Sequence, residues 1–206
     1  MIYKHSLMPF AYERDLLTQS WEGLSPCNSL ICSMGPDPRD VIEMVDYDPE
    51  WPHLYEEEQA ILAKAFSPFH PHIEHIGSTA VPGLCAKPII DIMIGLPVLE
   101  GADRYSPLVR PLGYVHVEQE DEGGRVFLRK GMPRTHHLHI VAFGNEDWHS
   151  HLAFRELLRK DPDLRGRYAE LKRHSAKMHR EDREAYVRSK QGFIQDAVRK
   201  AGGNGQ

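Results

Sequence analysis

The chain predicts an α+β fold: a mixed sheet of about five strands followed by a packed set of helices. Three observations predict it. Short apolar or alternating runs lie between residues 72 and 143, broken by turn residues. One of them, Pro88–Leu96, is too apolar to alternate and reads as a strand covered on both faces. From Asp147 the apolar spacing changes to that of helices and stays so to Lys200.

The elements follow in order. Val41–Val45 is a short strand candidate. Pro49 and Pro52 bracket a turn, and Pro52 suits a helix start. Leu54–Phe66 then reads as a helix with Leu54, Ile61 and Ala65 on its apolar face. His72–Ile76 and Pro88–Leu96 are strands, and Ala102–Leu112 is a helix that ends at Gly113. Tyr114–Glu118 alternates as a half-buried strand, and an acidic, Gly-rich turn leads to strands Val126–Lys130 and His136–Phe143. The helices are Asp147–Arg159, Asp163–Met178 (stripe Leu164, Tyr168, Leu171, Met178) and Asp182–Lys200 (stripe Tyr186, Phe193, Ala197).

Residues 1–40 do not match the rest. They lack periodicity and hold Ser, Pro, Asn and Gly, so they read as a disordered extension or as a start placed too early, with Met34 the alternative. The domain proper is expected over residues 41–201.

Composition excludes several classes. A net charge of −5 argues against a general nucleic-acid binder, while leaving room for a local basic site. The three cysteines have no metal spacing, and their odd count argues against a disulfide framework. Reduced thiols, no apolar run long enough to span a membrane and no signal-peptide core give a cytoplasmic expectation with no membrane partner. No P-loop, G-x-S-x-G or H-E-x-x-H motif supports a kinase, serine hydrolase or zincin reading.

The chemistry concentrates in His75–Gly95. Gly77 lets a ligand approach the main chain, and Ser78 adds a hydroxyl and N–H donors suited to phosphate oxygens. Asp91 is the one charge in I-I-D-I-M-I and needs a partner, a metal or a shifted pKa. Its plain alternative is an ion pair with Lys87 or Arg129. Gly77, Ser78 and Lys87 form an expected anion cradle. In the run T-H-H-L-H, His137 and His139 share a strand face and can serve as metal ligands, acid–base groups or phosphate donors. Glu74 and His75 point to opposite faces, and Glu74 is the one expected to reach the site. Arg129 and Lys130, with Arg134, surround a Gly-Met-Pro turn and offer contacts to phosphate. Tyr186 and Lys190 lie on one helical face. His149 and His151 read as structural or surface groups.

Several blocks together carry a resemblance. They are Y-D-P-E-W-P (47–52), E-H-I-G-S-T-A-V-P-G-L (74–84), A-K-P-I-I-D-I (86–92), R-K-G-M-P-R-T-H-H-L-H (129–139), H-L-A-F-R (151–155) and Y-V-R-S-K-Q-G-F (186–193). In this order the chain resembles the GrpB family, a group with a nucleotidyltransferase-like fold. The resemblance implies a nucleoside triphosphate as substrate and a divalent ion, magnesium or manganese with zinc as a further option. It implies Asp91 as the catalytic and metal-holding acid, helped by His137, His139 or Glu74, and phosphates held by Ser78 and Lys87. It also implies that Tyr186 and Lys190, on a helix after the sheet, help hold the nucleotide. The nucleotidyltransferase pattern carries two acids one residue apart on this strand, and here the second position is Met93. Two alternatives stand beside it. One is a non-catalytic accessory domain with a protein partner, since domains of this type occur fused to dephospho-CoA kinase. The other is a phosphohydrolase using a metal bound by Asp91, His137 and His139.

Overall fold

The computed structural model describes residues 41–117 and 124–203. The expected extension over residues 1–40, Met34 included, lies outside them, as do residues 118–123 of the acidic turn. The chain runs α1 (Trp51–Ala65), β1 (His72–Ile76), β2 (Ile90–Leu96), α2 (Ala102–Val109), β3 (Tyr114–His116), β4 (Val126–Lys130), β5 (His136–Ala142), α3 (Glu146–Lys160), α4 (Pro162–Met178) and α5 (Arg183–Gly203). This is the α+β arrangement the spacing predicts, with a nucleotidyltransferase-like mixed sheet and helices after it.

The five strands lie in the order β1-β2-β5-β4-β3. β2 and β5 run parallel, and every other neighbouring pair is antiparallel. Alternation sends the side chains of β2 to two different layers. Ile90, Ile92, Ile94 and Leu96 bury against Leu62 and Phe66 near α1 and Tyr105 and Val109 of α2. Met93, on the other face, joins Ile76, Val141 and Trp148 of α3. Val81, Leu84, Leu158 and Tyr168 form a further core between the loop after β1 and helices α3 and α4. Because β2 is covered on both sides, Asp91 enters on the face shared with Met93, under the C-terminal helices.

The late helices begin where their caps dictate. The Asn145 carboxamide oxygen accepts the Trp148 N–H (2.9 Å), and the Asp161 carboxylate accepts that of Leu164 (2.9 Å), with Pro162 in the first turn. Asp182 accepts the Ala185 N–H in the same way (2.9 Å).

Several expectations are corrected. Val41–Val45 is no strand; it contributes a single bridge, Val45 to Ala86. On α1 the buried residues are Trp51, Glu58 and Leu62, whereas Leu54 and Ile61 are exposed. Met178, the last residue of α4, is also exposed. β3 stops at His116.

Candidate functional site

A cavity of about 300 Å³ opens between the sheet and the C-terminal helices. It is built around the parallel seam, where Asp91 of β2 lies opposite His137 of β5 and Met93 opposite His139. The Asp91 carboxylate accepts the Nδ1–H of His137 (2.8 Å). The other ring nitrogen of His137 accepts a guanidinium N–H of Arg183 (3.1 Å). An arginine can only donate, so His137 is a neutral imidazole with both nitrogens used. Burial is the main cause that pulls its pKa down, against the upward pull of Asp91. Burial alone would raise the Asp91 carboxyl. The His137 hydrogen bond and the nearby Lys87 ammonium overrule it and hold the group well below the carboxylate range.

Gly77 explains its own identity. Its φ is +71°, and a Cβ there would lie 2.9 Å from the Asp91 Cβ and collide with the carboxylate. The turn that follows is braced from α3 through its carbonyls. Arg155 donates to the His75 carbonyl (2.7 Å), and Arg159 donates twice to that of Ala80 (3.0 and 2.7 Å). Ser78 accepts a hydrogen bond from Lys172 of α4 (2.9 Å), and the same ammonium donates to the Cys85 carbonyl. The Ser78 hydroxyl hydrogen is thereby left to point away from Lys172.

The walls are cationic. Among the described residues, Lys87, Arg125, Lys172, Arg183 and Lys190 line the cavity, against one carboxylate, Asp91. The Lys190 ammonium sits over the Tyr186 ring at 3.9 Å from its centroid, and that of Lys87 at 5.3 Å. Burial first, then neighbouring cations, pulls Lys172 down to about 7 and Lys190 to about 8, with Asp91 opposing both. Burial first, then Arg125, pulls His139 well below the usual imidazole range, and its buried Nδ1 has no hydrogen-bond partner among the described residues. His151 gives its Nδ1–H to the Asp147 carbonyl (2.8 Å) and also lines the cavity.

Of the residues singled out from the sequence, Gly77, Ser78, Lys87, Asp91, His137, His139, Tyr186 and Lys190 come together here. Three do not. Glu74 lies on the right face of β1, but Arg155 of α3 takes its carboxylate (2.8 Å) and holds it outside the cavity. Lys130 lies on the opposite face of the sheet, where it bonds Glu58 of α1 (2.7 and 3.0 Å). Arg129 shares the face of His137, its partner across β4 and β5, yet stays outside the lining. Asp91 pairs with His137 rather than with Lys87 or Arg129.

The expected metal set of Asp91, His137, His139 and Glu74 therefore does not assemble. Glu74 is occupied by Arg155 and His137 by Asp91 and Arg183. Among the described residues no group of three His, Cys, Asp or Glu side chains could hold a metal ion. A resident zinc centre needs three or four such ligands, so these residues do not fit one. The donor set of the phosphohydrolase alternative is missing with it.

The residues missed from sequence are Arg125, His151 and Arg183. A signal existed for Arg183: Arg183, Tyr186, Val187 and Lys190 fall at i, i+3, i+4 and i+7, one face of α5, and all four line the cavity.

The sequence model of the family described as GrpB protein matches residues 41–200. The UPF0157 protein YqkA of Bacillus subtilis is 33% identical over 80% of this chain and 48% of its own length. A dephospho-CoA kinase of Mycolicibacterium paratuberculosis is 31% identical, over 78% of this chain and 46% of its own. A crystal structure of the conserved protein GrpB from Enterococcus faecalis superposes with a TM-score of 0.71 at 36% identity, covering 77% of this chain and 96% of that one. The chain belongs to the GrpB family. It spans about half the length of these two curated relatives. No helix among the described residues is long and apolar enough to cross a membrane.

Proposed function

We propose that the Asp91 cavity binds a nucleoside triphosphate through its phosphates, as a nucleotidyltransferase-like protein whose acceptor is unassigned. One observation carries this reading: among the described residues, five basic side chains line the cavity with a single carboxylate, in a protein whose net charge is −5. Such a local reversal concentrates positive potential in a cleft and draws a polyanion into it. Lys87 and Lys190 supply point charges, and Ser78, oriented by Lys172, supplies a neutral donor. Asp91 is held too low to accept a proton readily near neutral pH. Its role in this reading is electrostatic: it is the acid available to meet a magnesium or manganese ion that the triphosphate brings with it.

The test is calorimetric titration of nucleoside triphosphates, with and without magnesium or manganese, into wild type, Lys87→Gln, Lys190→Gln and Asp91→Ala. Each lysine variant should bind at least about tenfold more weakly, or 1.4 kcal/mol. Asp91→Ala should lose whatever increment the metal adds. An absence of triphosphate binding under every condition would sink the reading. It would favour the accessory role suggested by similarity to a dephospho-CoA kinase.

The lysines add a pH dependence. In the free protein Lys172 and Lys190 release their protons near 7 and 8. A bound polyanion favours the charged ammonium, so both values rise in the complex. The complex then holds more protons than the free protein above pH 7, and affinity should fall as pH rises. The groups facing Lys172 are Ser78, Cys85, Tyr168, Lys190, Arg173 and Asp91; those facing Lys190 are Tyr186, Asp91 and Arg183. Titrations between about pH 7 and pH 9 should weaken by up to tenfold per unit for each proton taken up. Proton uptake should also appear as a dependence of the binding heat on buffer ionisation enthalpy. A flat profile would remove both lysines from the binding step.

A further inference from the structure

The same cavity shows which part of the ligand it reads. Its volume, about 300 Å³, lies at the small end of ligand pockets. Its cations surround Asp91, and its two large aromatic rings are closed to stacking. Tyr186 is 2% exposed and carries two ammonium groups over its ring; Phe127 is 3% exposed and makes edge and tilted contacts with His139 and His137. Sequence-specific or base-dependent recognition draws on stacking surfaces and on hydrogen bonds to base edges. The lining offers instead ammonium and guanidinium donors, the Ser78 hydroxyl and neutral imidazoles. Among the described residues, Val187, 43% exposed, is the one large aliphatic that lines the cavity and also faces solvent.

Resting on the triphosphate reading, we infer that this site recognises the phosphate chain itself, held by its own lysines and arginines without a metal ion, and is indifferent to the base. The ligand class is a chain of two or three linked phosphates with its organic group left at the mouth beside Val187. Such a site needs no aromatic clamp, because four to five positive charges already match the charge of a polyphosphate.

The experiment titrates inorganic tripolyphosphate, ATP, GTP, CTP, UTP and adenosine into the full-length protein in EDTA, then repeats the series with magnesium. The expected result is that tripolyphosphate and the four triphosphates bind in EDTA within about tenfold of one another, while adenosine gives no signal. Lys190→Gln should weaken tripolyphosphate and ATP by the same factor, and a circular dichroism melt of that variant checks that it folds. Tripolyphosphate binding more than about tenfold weaker than the best triphosphate would overturn the inference and leave the triphosphate reading standing. So would a preference for one base beyond that factor, or binding that appears only after magnesium is added. Failure of every phosphate ligand in both series would overturn the two readings together.

Discussion

Gly77→Ala should strongly destabilise the protein and abolish ligand binding, while Gly83→Ala should lose only the backbone cost of about 1–2 kcal/mol and keep its binding. The two glycines share a left-handed backbone, φ +71° and +77°. An alanine pays a similar conformational cost at both, about 1–2 kcal/mol. They differ in what a methyl group would meet. At Gly83 nothing lies within 4 Å, whereas at Gly77 the new Cβ would collide with the Asp91 carboxylate and lie 2.9 Å from its Cβ. That carboxylate cannot swing aside without giving up the His137 hydrogen bond. Overpacking adds about 1–3 kcal/mol, for a total near 2–5 kcal/mol at Gly77. Urea midpoints for the two variants measure the difference directly. Equal losses at the two positions would show that Gly77 serves only backbone conformation.

Lys130→Met should cost about 3–5 kcal/mol of stability and leave triphosphate affinity unchanged. Glu58 is 5% exposed, and the Lys130 ammonium donates to both of its carboxylate oxygens. Removing the lysine leaves an uncompensated charge beneath α1, and loss of one partner of a buried pair is far costlier than loss of both. Glu58→Met combined with Lys130→Met should therefore recover most of the loss. Denaturant titration of the two single variants and the double variant completes the cycle. Weakened triphosphate binding in a folded Lys130→Met protein would return this residue to the site, where the turn sequence alone would put it.

The strands and late helices were legible because their signals are local. An apolar run such as Ile89–Ile94, or a capping residue such as Asp161 before Pro162, acts within a few residues of where it is read. The apolar face of α1 was misread because its decisive contact is remote. Glu58 turns inward to meet Lys130, 72 residues away, and periodicity counts it as a surface charge. The site divides in the same way. Gly77, Ser78, Lys87 and Asp91 stand in one stretch and were readable as a unit. Lys172 reaches the cavity from a helix where basic residues ordinarily face water, and packing tells it apart; Arg183 is legible only through its shared helix face with Tyr186, Val187 and Lys190. Glu74 was assigned to the correct face of its strand, but an arginine from α3 claims it first.

The braces from α3 to the turn after β1 have an evolutionary consequence. Arg155 and Arg159 hold that turn through the carbonyls of His75 and Ala80, groups every amino acid possesses. These links place no demand on the side chain at position 80, so that position can drift through small residues without loosening the turn. The two arginines have no such freedom, because no other side chain offers their planar fork of donors. Selection on the shape of the turn therefore falls on a helix some 80 positions downstream. A lineage that remodels this turn is expected to register the change first at Arg155 and Arg159.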